Sequence, residues 1–364
     1  MDGLGVTIFG DVYKNRRVLI TGHTGFKGSW LALWLKNLGA KITGLALAPN
    51  STPSHWDLLN LDIDDRRVDV RDFKAVSDTV NFSSPEIVFH LAAQPLVRRS
   101  YKDPLKTWST NVIGTANILE ACRKISCVRA IVIITTDKCY ENQNKKLGYR
   151  EDDRLGGRDP YSASKASAEL VVSSYRDSFF DQNSGPLLAS ARAGNVIGGG
   201  DWSEDRLIPD LVRAIDKGEM LKVRYPKATR PWQHVLEPLS GYLCLGQKLL
   251  EGKKEFAEAW NFGPDDSGNL TVEMILSHLK ELWSSVNWQV IDSPQLHEEK
   301  LLHLNSNKSF QQLNWKPVWS FQEGLSATAE WYKANLERNA VLSFKQLQDY
   351  EAIASQLRLK WIRK

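Results

Sequence analysis

Short apolar runs alternate with longer amphipathic stretches through the first half of the chain. The apolar runs lie at 16–21, 41–47, 86–92, 128–134 and 186–193. Runs of this length predict buried strands, and the 3.6-residue periodicity between them predicts helices over 26–38, 103–125 and 160–180. A further strand is predicted over 66–70, before a helix that starts near Asp72. Strands that alternate with helices are typical of a parallel sheet covered on both faces, with right-handed crossovers.

The pattern changes after about residue 195, where glycine, proline and tryptophan become frequent. The segment 237–252 predicts one more amphipathic helix, and 259–263 predicts a strand that could return to the first sheet. Helices are expected over most of 320–364. The second half therefore predicts a smaller unit built from separate segments.

Composition narrows the class of protein. The 364 residues are 42% hydrophobic and 25% charged, which is typical of a soluble globular protein with ample core. The net charge of +4 is too balanced for a nucleic-acid partner, although it suits a small molecule that carries phosphate. No apolar run approaches the ~20 residues that cross a bilayer, and the first residues do not resemble a signal peptide. We expect a cytoplasmic protein with no membrane partner.

The four cysteines form no CxxC pair, and no histidine cluster has metal-ligand spacing. They are therefore interpreted as free thiols in a reducing compartment, and no metal site is predicted.

Three glycines, Gly22, Gly25 and Gly28, stand between the first strand and the first helix. This GxxGxxG spacing is a variant of the dinucleotide fingerprint, in which glycines let a diphosphate approach the backbone at a positive helix N-terminus. The alternative is a glycine-rich turn that serves only close packing of helix and strand. The motif predicts an α/β fold with a Rossmann-like doubly wound parallel sheet and a smaller, mixed α/β C-terminal substrate domain.

The expected domain boundaries follow from this pattern. They are 14–195 for the dinucleotide-binding domain with a return segment at 233–263, 196–232 and 264–340 for the substrate-binding domain, and 341–364 for a helical tail.

The sequence does not distinguish NAD from NADP. The second strand ends in "LALAPN" (45–50), with neither the acid that usually binds the ribose of NAD nor an adjacent arginine. Lys27 could reach a phosphate or could simply be solvated. Asp69 could contact the adenine side of a dinucleotide, or could share a helix N-cap role with Asp72.

A second motif is "YSASK", with Tyr161 and Lys165 at i, i+4 spacing on one helix face. A neighbouring ammonium favours phenolate and should lower the pKa of Tyr161 from ~10 toward neutrality. Tyr161 is thus a candidate base for removing a proton from an alcohol as hydride leaves.

The strand at 128–134 leads to Thr136, Asp137 and Lys138, an acid beside a lysine at a strand end. One interpretation is a solvated turn. The other is a pair of groups for proton transfer, because the carboxyl ends of parallel strands are common places for chemistry.

Together these motifs resemble the extended short-chain dehydrogenase/reductase family over nearly the whole chain. Segments 90–94 and 110–115 resemble its cofactor-side segment and its asparagine-containing helix. The resemblance implies NAD as cofactor, with contacts from Gly22, Thr24, Gly25, Phe26, Lys27, Gly28, Asp69, Val70, Leu91, Ala92, Ala93, Thr135, Tyr161 and Lys165. It also implies catalytic roles for Thr136, Asp137, Lys138, Tyr161 and Lys165.

Within that family, the sugar-nucleotide 4,6-dehydratases carry Thr-Asp-Glu or Thr-Ser-Glu at this strand end, where this chain has Thr-Asp-Lys. That difference, with segments 23–35 and 230–243, resembles the subgroup whose substrate is CDP-glucose. The resemblance implies a lyase: C4 is oxidised, water is eliminated across C5 and C6, and hydride returns to C6. It implies substrate contacts from Gln94, Thr136, Asn195, Arg206, Leu207 and Arg230.

The resemblance also implies a homodimer through helices 103–125 and 160–180. For Arg206 and Arg230 the alternative to diphosphate binding is a surface ion pair. The competing functions are a 4-epimerase, a dehydratase for another nucleotide, and a non-enzymatic NAD(P)-binding sensor.

Asp137 is expected to act as the acid at C6 and Lys138 as the base at C5. Their unperturbed pKa values, ~3.9 and ~10.4, leave both groups in the wrong state at neutral pH. Burial would shift both pKa values in the required direction, whereas a close Asp137–Lys138 ion pair would oppose both shifts. The alternative is that Lys138 stays charged and stabilises an enolate.

Overall fold

The computed structural model describes residues 7–180, 185–264, 269–291 and 302–363. Parts of the predicted segment 264–340, the first six residues and Lys364 lie outside the described residues. Within the described ranges, no helix is both long enough and apolar enough to span a membrane.

The strands in chain order are β1 (Thr7–Ile8), β2 (Arg17–Thr21), β3 (Lys41–Ala46), β4 (Asp64–Arg67), β5 (Ile87–His90), β6 (Ala130–Ile134), β7 (Leu187–Ala193), β8 (Val196–Ile197), β9 (Leu221–Val223), β10 (Thr229–Pro231), β11 (Gln233–His234), β12 (Ala259–Phe262), β13 (Asn269–Thr271), β14 (Trp288–Val290) and β15 (Ile362–Arg363).

The helices are α1 (Phe26–Asn37), α2 (His55–Leu59), α3 (Phe73–Ser83), α4 (Val97–Lys102), α5 (Pro104–Trp108), α6 (Gly114–Arg123), α7 (Pro160–Tyr175), α8 (Leu207–Asp216), α9 (Leu236–Leu250), α10 (Val272–Leu282), α11 (Asn307–Gln311), α12 (Phe321–Arg338) and α13 (Ser343–Gln356). Short 3₁₀ turns lie at Phe9–Asp11, Asp137–Cys139 and Lys254–Phe256, and π-helical turns at Ser109–Ile113 and Arg176–Phe180.

Seven parallel strands form the central sheet, in the order β12-β7-β6-β5-β2-β3-β4. The most apolar runs, β5 and β6, are buried throughout and lie in the middle. Alternate residues of the strands enter two hydrophobic clusters, one with α1 and α9 and the other with α3, α6 and α7. Helices therefore cover both faces, and the predicted doubly wound parallel sheet is confirmed. The predicted return strand at 259–263 is also confirmed, since β12 pairs in parallel with β7.

Two elements differ from the prediction in detail. The strand expected over 66–70 is β4, which begins at Asp64 and has a polar sequence. It is an edge strand. Its position is set by its pairing with β3, in which Thr43 lies opposite Asp64, and not by apolar side chains. The helix expected over 103–125 is α5 and α6 joined by the π-helical turn, which places Asn111 in the interior.

A third hydrophobic cluster lies beyond the sheet and includes Ile208, Leu211, Ile275, Leu276 and Trp331. Its side chains come from α8, α10 and α12, beside the small strand pairs β10–β13 and β9–β14. The helices α8 and α10 are amphipathic but were not predicted, because they lie in the part of the chain where frequent glycine, proline and tryptophan indicated turns.

The C-terminal residues pack back against the first helix. Helix α13 is followed by β15, which pairs antiparallel with β1. Trp361 stacks on Phe9 with 4.9 Å between ring centroids, and Trp34 of α1 donates to Glu351 at 2.8 Å. The residues after α12 thus pack against α1, the helix that begins directly after the glycine turn.

A buried carboxyl group joins three parts of the fold. Glu237 at the start of α9 accepts hydrogen bonds from the backbone N–H groups of Val318 and Trp319, both at 2.9 Å, and from the hydroxyl of Tyr350 at 2.8 Å. Burial raises the pKa of Glu237 to about 7. These bonds hold the start of α12 and the middle of α13 against α9.

We predict that Glu237→Leu lowers the free energy of unfolding by about 3 kcal/mol or more, since three buried donors lose their acceptor. Chemical denaturation followed by circular dichroism measures this loss. The matched control is Glu330→Leu on the exposed side of α12, where a change within about 0.5 kcal/mol is expected. Equal effects of the two substitutions would contradict the assigned role of Glu237.

Candidate active site

A cavity of about 780 Å³ runs along the carboxyl edge of the parallel sheet. Ligands of doubly wound sheets bind at this edge, where the strand ends face a crevice. Most of the predicted site residues line it: Gly22, Thr24, Gly25, Phe26, Lys27, Gly28, Asp69, Val70, Leu91, Ala92, Ala93, Gln94, Thr135, Thr136, Lys138, Tyr161, Lys165, Asn195 and Arg206. Asp137, Leu207 and Arg230 are not among its lining residues.

The glycine turn at one end of the cavity needs glycine for steric reasons. Gly22 has φ +75°, and a Cβ added there would lie 2.7 Å from the backbone N of Ala92. A Cβ on Gly28 would lie 2.0 Å from the carbonyl oxygen of Gly22. The turn leads directly into the N-terminus of α1 at Phe26. Close backbone and a positive helix end form a cradle that fits the diphosphate of a dinucleotide.

A chain of hydrogen bonds, not predicted from the sequence, holds the glycine turn against the loop after β5. The Thr21 hydroxyl and His90 Nδ1 are 2.7 Å apart, and His90 Nε2 and the Thr115 hydroxyl are 3.1 Å apart. Thr115 donates to the carbonyl of Asn111, and Thr21 accepts from the N–H of Ala92. Burial lowers the pKa of His90 to about 3, so this imidazole is neutral. The chain fixes the loop that contains Leu91, Ala92 and Ala93.

Lys27 lies in the first turn of α1, where a cation opposes the helix dipole. Burial and the charges of Arg206 and Lys165 together lower its pKa to about 7, against the opposing charge of Asp137. Its ammonium lies 6.0 Å from the ring centroid of Tyr242. Lys27 is therefore not a solvated surface lysine, and its contact with a phosphate stays a prediction.

Asp69 does not share the helix N-cap role with Asp72, which was one of the two roles considered for it. Asp72 alone caps α3, since its carboxylate accepts from the N–H of Ala75 at 3.0 Å. Asp69 instead forms an ion pair with Arg71 at 2.6 Å, and hydrogen bonds from Arg71 hold the pKa of Asp69 below its usual value. It also lines the cavity, so a contact with adenine stays a prediction.

Tyr161 and Lys165 lie on the buried face of α7, which Asp159 caps by accepting from the N–H of Ser162. The Lys165 ammonium donates to the carbonyl of Ile134 at 3.2 Å, and burial lowers the pKa of Lys165 to about 8. Burial raises the pKa of Tyr161 to about 12, although a hydrogen bond with Thr136 opposes that rise. The prediction that the pKa of Tyr161 falls toward neutrality is therefore wrong for the protein without a bound cofactor.

Thr136 caps the 3₁₀ turn Asp137–Cys139, which follows β6 directly. The Thr136 hydroxyl donates to Asp137 Oδ1 at 2.9 Å, and the Asp137 carboxyl is buried. Burial raises the pKa of Asp137, against the opposing charges of Lys138, Lys27 and Arg230. The solvated turn that we considered is thus excluded for Asp137.

Lys138 is half-buried and lines the cavity, next to the buried acid. In the described part of the chain, it forms no ion pair with Asp137 within 4.0 Å, and their charges act on each other only at longer range. The close ion pair that would oppose proton transfer is therefore not formed.

The predicted substrate residues are placed unevenly. Asn195 and Arg206 line the cavity, and Arg206 lies 3.8 Å from the carboxylate of Asp201. Gln94 also lines it, but its amide bonds to the carbonyl and N–H of Leu96 and to Thr107. That amide holds the loop after β5 in place.

Two predicted substrate residues lie away from the cavity wall. Leu207 begins α8, and its side chain packs against the third hydrophobic cluster. Arg230 lies on β10, where its guanidinium donates to the carbonyl of Thr229 at 2.8 Å. Its charge still lowers the pKa of Asp137, so Arg230 acts electrostatically on the turn Asp137–Cys139.

Several residues that the sequence did not single out complete the cavity wall. Arg99 and Lys106 bring positive charge from α4 and α5, and Arg213 of α8 donates to the carbonyls of Trp202 and Ser203. No motif marks these residues, and Arg213 is more than 100 residues from Arg99 and Lys106 in the chain. Among the described residues, no group of histidine, cysteine or acidic side chains could hold a metal ion.

Comparison with known proteins places this site in context. The sequence profile of the GDP-mannose 4,6 dehydratase family matches residues 19–328. CDP-glucose 4,6-dehydratase of Salmonella typhimurium is 45% identical over 93% of this chain and 97% of its own length.

Two solved structures share the fold. An epimerase from Methanothermobacter thermautotrophicus has a TM-score of 0.80 and 23% identity, and the match covers 91% of this chain and 96% of that one. The dTDP-glucose 4,6-dehydratase of Bacillus anthracis, solved with NAD, has a TM-score of 0.72 and 20% identity, with 88% and 97% covered.

Proposed function

This chain belongs to the GDP-mannose 4,6 dehydratase family of extended short-chain dehydrogenases/reductases, and on that premise we propose that it converts CDP-D-glucose to CDP-4-dehydro-6-deoxy-D-glucose. The enzyme is a lyase that uses NAD. The observation that carries the proposal is the turn after β6, in which the buried carboxyl group of Asp137, with its raised pKa, is next to Lys138. Lys138 lines the same cavity as Tyr161 and Lys165. The strong likeness to a CDP-glucose 4,6-dehydratase supports CDP-glucose as the substrate.

The glycine cradle and the cavity beyond it fit NAD. Gly22 and Gly28 leave room for a diphosphate where any other side chain would collide with backbone. In this proposal Asp69 and Val70 contact the adenine side of NAD, and Thr135, Tyr161 and Lys165 contact its nicotinamide side. All five residues line the cavity. When bound, NAD supplies the redox chemistry, since it takes a hydride from C4 of the glucosyl unit and gives it back at C6.

Tyr161 and Thr136 handle the proton of the C4 hydroxyl. Tyr161 accepts that proton, and its interaction with Thr136 lowers the pKa of the phenol. The ammonium of Lys165, fixed by the carbonyl of Ile134, adds positive charge at the same end of the cavity. Any further cation bound there would lower the pKa of Tyr161 from about 12 and make it a better base.

Asp137 and Lys138 carry out the elimination. Once C4 is a ketone, the C5 proton is acidic, and Lys138 removes it as the base. The C6 hydroxyl leaves as water with a proton from Asp137, and a C5–C6 double bond forms. Burial favours the protonated form of Asp137, which is the form that an acid needs.

Asn195, Arg206 and Arg230 hold the nucleotide part of the substrate in this proposal. Arg206 is half-buried at the cavity wall, and its nearest carboxylate is 3.8 Å away, so its fork can turn to a diphosphate. Arg230 would have to move from the carbonyl of Thr229, or would act through its charge alone.

A 4-epimerase explains less of the site. Epimerisation at C4 needs the tyrosine and the cofactor, but needs neither an acid at C6 nor a base at C5. Burying a carboxyl group at the turn is costly, and only the elimination uses it. A non-enzymatic sensor would need neither Tyr161 nor Asp137.

We predict that the protein, with NAD and a panel of nucleoside-diphosphate glucoses, removes one water from CDP-glucose much faster than from the others. Mass spectrometry identifies the 4-keto-6-deoxy product, and no net reduction of NAD should accompany it. Stoichiometric reduction of NAD would contradict a dehydratase, and a preference for another nucleotide would contradict the assigned substrate.

We predict that Lys138→Met and Asp137→Asn fail at different steps. In D₂O, Lys138→Met should not exchange deuterium into C5 of the substrate, because the base is missing. Asp137→Asn should keep C5 exchange but eliminate water at less than about a hundredth of the wild-type rate, since the acid is missing. Nuclear magnetic resonance measures exchange at C5, and wild-type exchange in Lys138→Met would leave that lysine an electrostatic role only.

We propose that two copies of the chain associate through α5, α6 and α7. Large apolar side chains lie exposed on these helices and the π-helical turn between α5 and α6: Leu105 is 81% exposed, Ile113 is 53% exposed and Leu170 is 61% exposed. Exposed apolar groups on neighbouring helices are typical of an isologous interface.

Sedimentation at micromolar concentration should therefore show a dimer. Leu105→Glu with Leu170→Glu should shift it toward monomer, because charges would then be buried. The control is Leu147→Glu, which lies 79% exposed outside these helices and should leave the dimer intact. A monomeric wild type would refute this interface.

A further inference from the structure

An ion pair is buried beneath the catalytic turn. Glu169 on α7 and Arg192 on β7 lie 2.9 Å apart, and their side chains are 3% and 4% exposed. No sequence motif marks Glu169, and the proposed mechanism uses neither residue. Glu169 follows Lys165 by one helical turn, on the same buried face of α7.

Glu169 holds the strand end that leads into the catalytic turn. Its carboxylate accepts from the hydroxyl of Thr135, from the hydroxyl of Ser190 at 2.7 Å and from Arg192. Thr135 is the residue before Thr136, so this bond fixes the start of the turn to α7.

Arg192 holds the other end of the turn. Its guanidinium donates to the hydroxyl of Tyr140 at 2.7 Å and to the carbonyl of Glu151 at 2.9 Å. The Tyr140 hydroxyl in turn donates to Asn261 of β12 at 2.8 Å. Tyr140 follows Cys139, the last residue of the turn, so the turn is held at both ends by one ion pair.

Stability alone does not account for such a pair. Two charges lose their hydration when they are buried, and well-packed apolar residues of similar volume usually stabilise a core as well or better. What an ion pair with several hydrogen bonds provides is a defined geometry. Here that geometry relates the strand end after β6 to the helix that carries Tyr161 and Lys165.

We propose that Glu169 and Arg192 are positioning residues, which fix the turn of Asp137 and Lys138 relative to Tyr161 and Lys165. This inference rests on the proposed function. Glu169 also acts on Lys165 through its charge, which raises the pKa of Lys165 against the effect of burial. The charged and titratable groups that face Glu169 are Lys165, Arg176, Arg192 and Cys139, with Tyr140 beyond Arg192.

The sign of the pH effect follows from Lys165. Its ammonium is the active form, so activity falls as pH rises through the pKa of Lys165, which is about 8. Without the negative charge of Glu169, that pKa is lower, and the alkaline limb of the rate profile moves to lower pH.

The test compares Glu169→Gln, Tyr140→Phe and a control with wild-type enzyme and NAD. Glu169→Gln should lower kcat by about a hundredfold, the scale of a misplaced catalytic group, and move the alkaline limb by about one pH unit. Tyr140→Phe should lower kcat by about tenfold and leave the alkaline limb in place, because the charge of Glu169 remains. KM for CDP-glucose should change little in both variants.

The control is Glu237→Gln, a buried carboxyl group whose hydrogen bonds go to Val318, Trp319 and Tyr350 rather than to the turn. It should lower the thermal midpoint and leave kcat and the alkaline limb unchanged. An unchanged kcat in Glu169→Gln, or a loss of kcat without a shift of the limb, would overturn the inference. If Glu169→Gln does not fold, Tyr140→Phe decides, and wild-type kcat in that variant overturns it. A wild-type enzyme that dehydrates no nucleotide glucose would refute the proposed function instead.

Discussion

The site depends on the parallel pairing of β6 with β5 on one side and β7 on the other. Parallel strands end at the same edge of a sheet, so this pairing brings three chain segments distant in sequence to one crevice. They are the loop after β5, the turn after β6 and the residues after β7. The glycine turn after β2 joins them, since β2 pairs with β5.

Desolvation then sets the chemistry at that edge. The same burial raises the pKa of Asp137 and lowers the pKa of Lys165 to about 8. Loss of water disfavours the charged form of both groups, so the carboxyl group keeps its proton to higher pH and the ammonium group gives its proton up at lower pH. Because Asp137 bonds to Thr136 rather than to Lys138, the acid and the neighbouring lysine can act separately. Burial works against the proposed role of Tyr161, because it raises the pKa of the phenol and so leaves less phenolate to accept a proton.

The sequence was sufficient for the sheet and for much of the cavity wall. Fully buried strands have long apolar runs, and glycines mark turns that no other residue can form, so β5, β6 and the turn at Gly22 were predictable. The edge strand β4 was misplaced because backbone pairing, not hydrophobicity, fixes it. The ion pair of Glu169 with Arg192 was hidden because its members are 23 residues apart and meet only after α7 packs on the sheet. The substrate contacts of Leu207 and Arg230 were inferred from the family resemblance alone. In the structure, Leu207 packs against a hydrophobic cluster and Arg230 donates to the carbonyl of Thr229.

The central claim is a dehydration without net oxidation, in which the hydrogen of C4 ends at C6 of the same sugar. The direct measurement uses CDP-glucose that carries deuterium at C4, with catalytic amounts of enzyme and NAD in ordinary water. Nuclear magnetic resonance of the product should show the deuterium in the C6 methyl group. Product with no deuterium at C6, or unreacted sugar inverted at C4, would contradict the account.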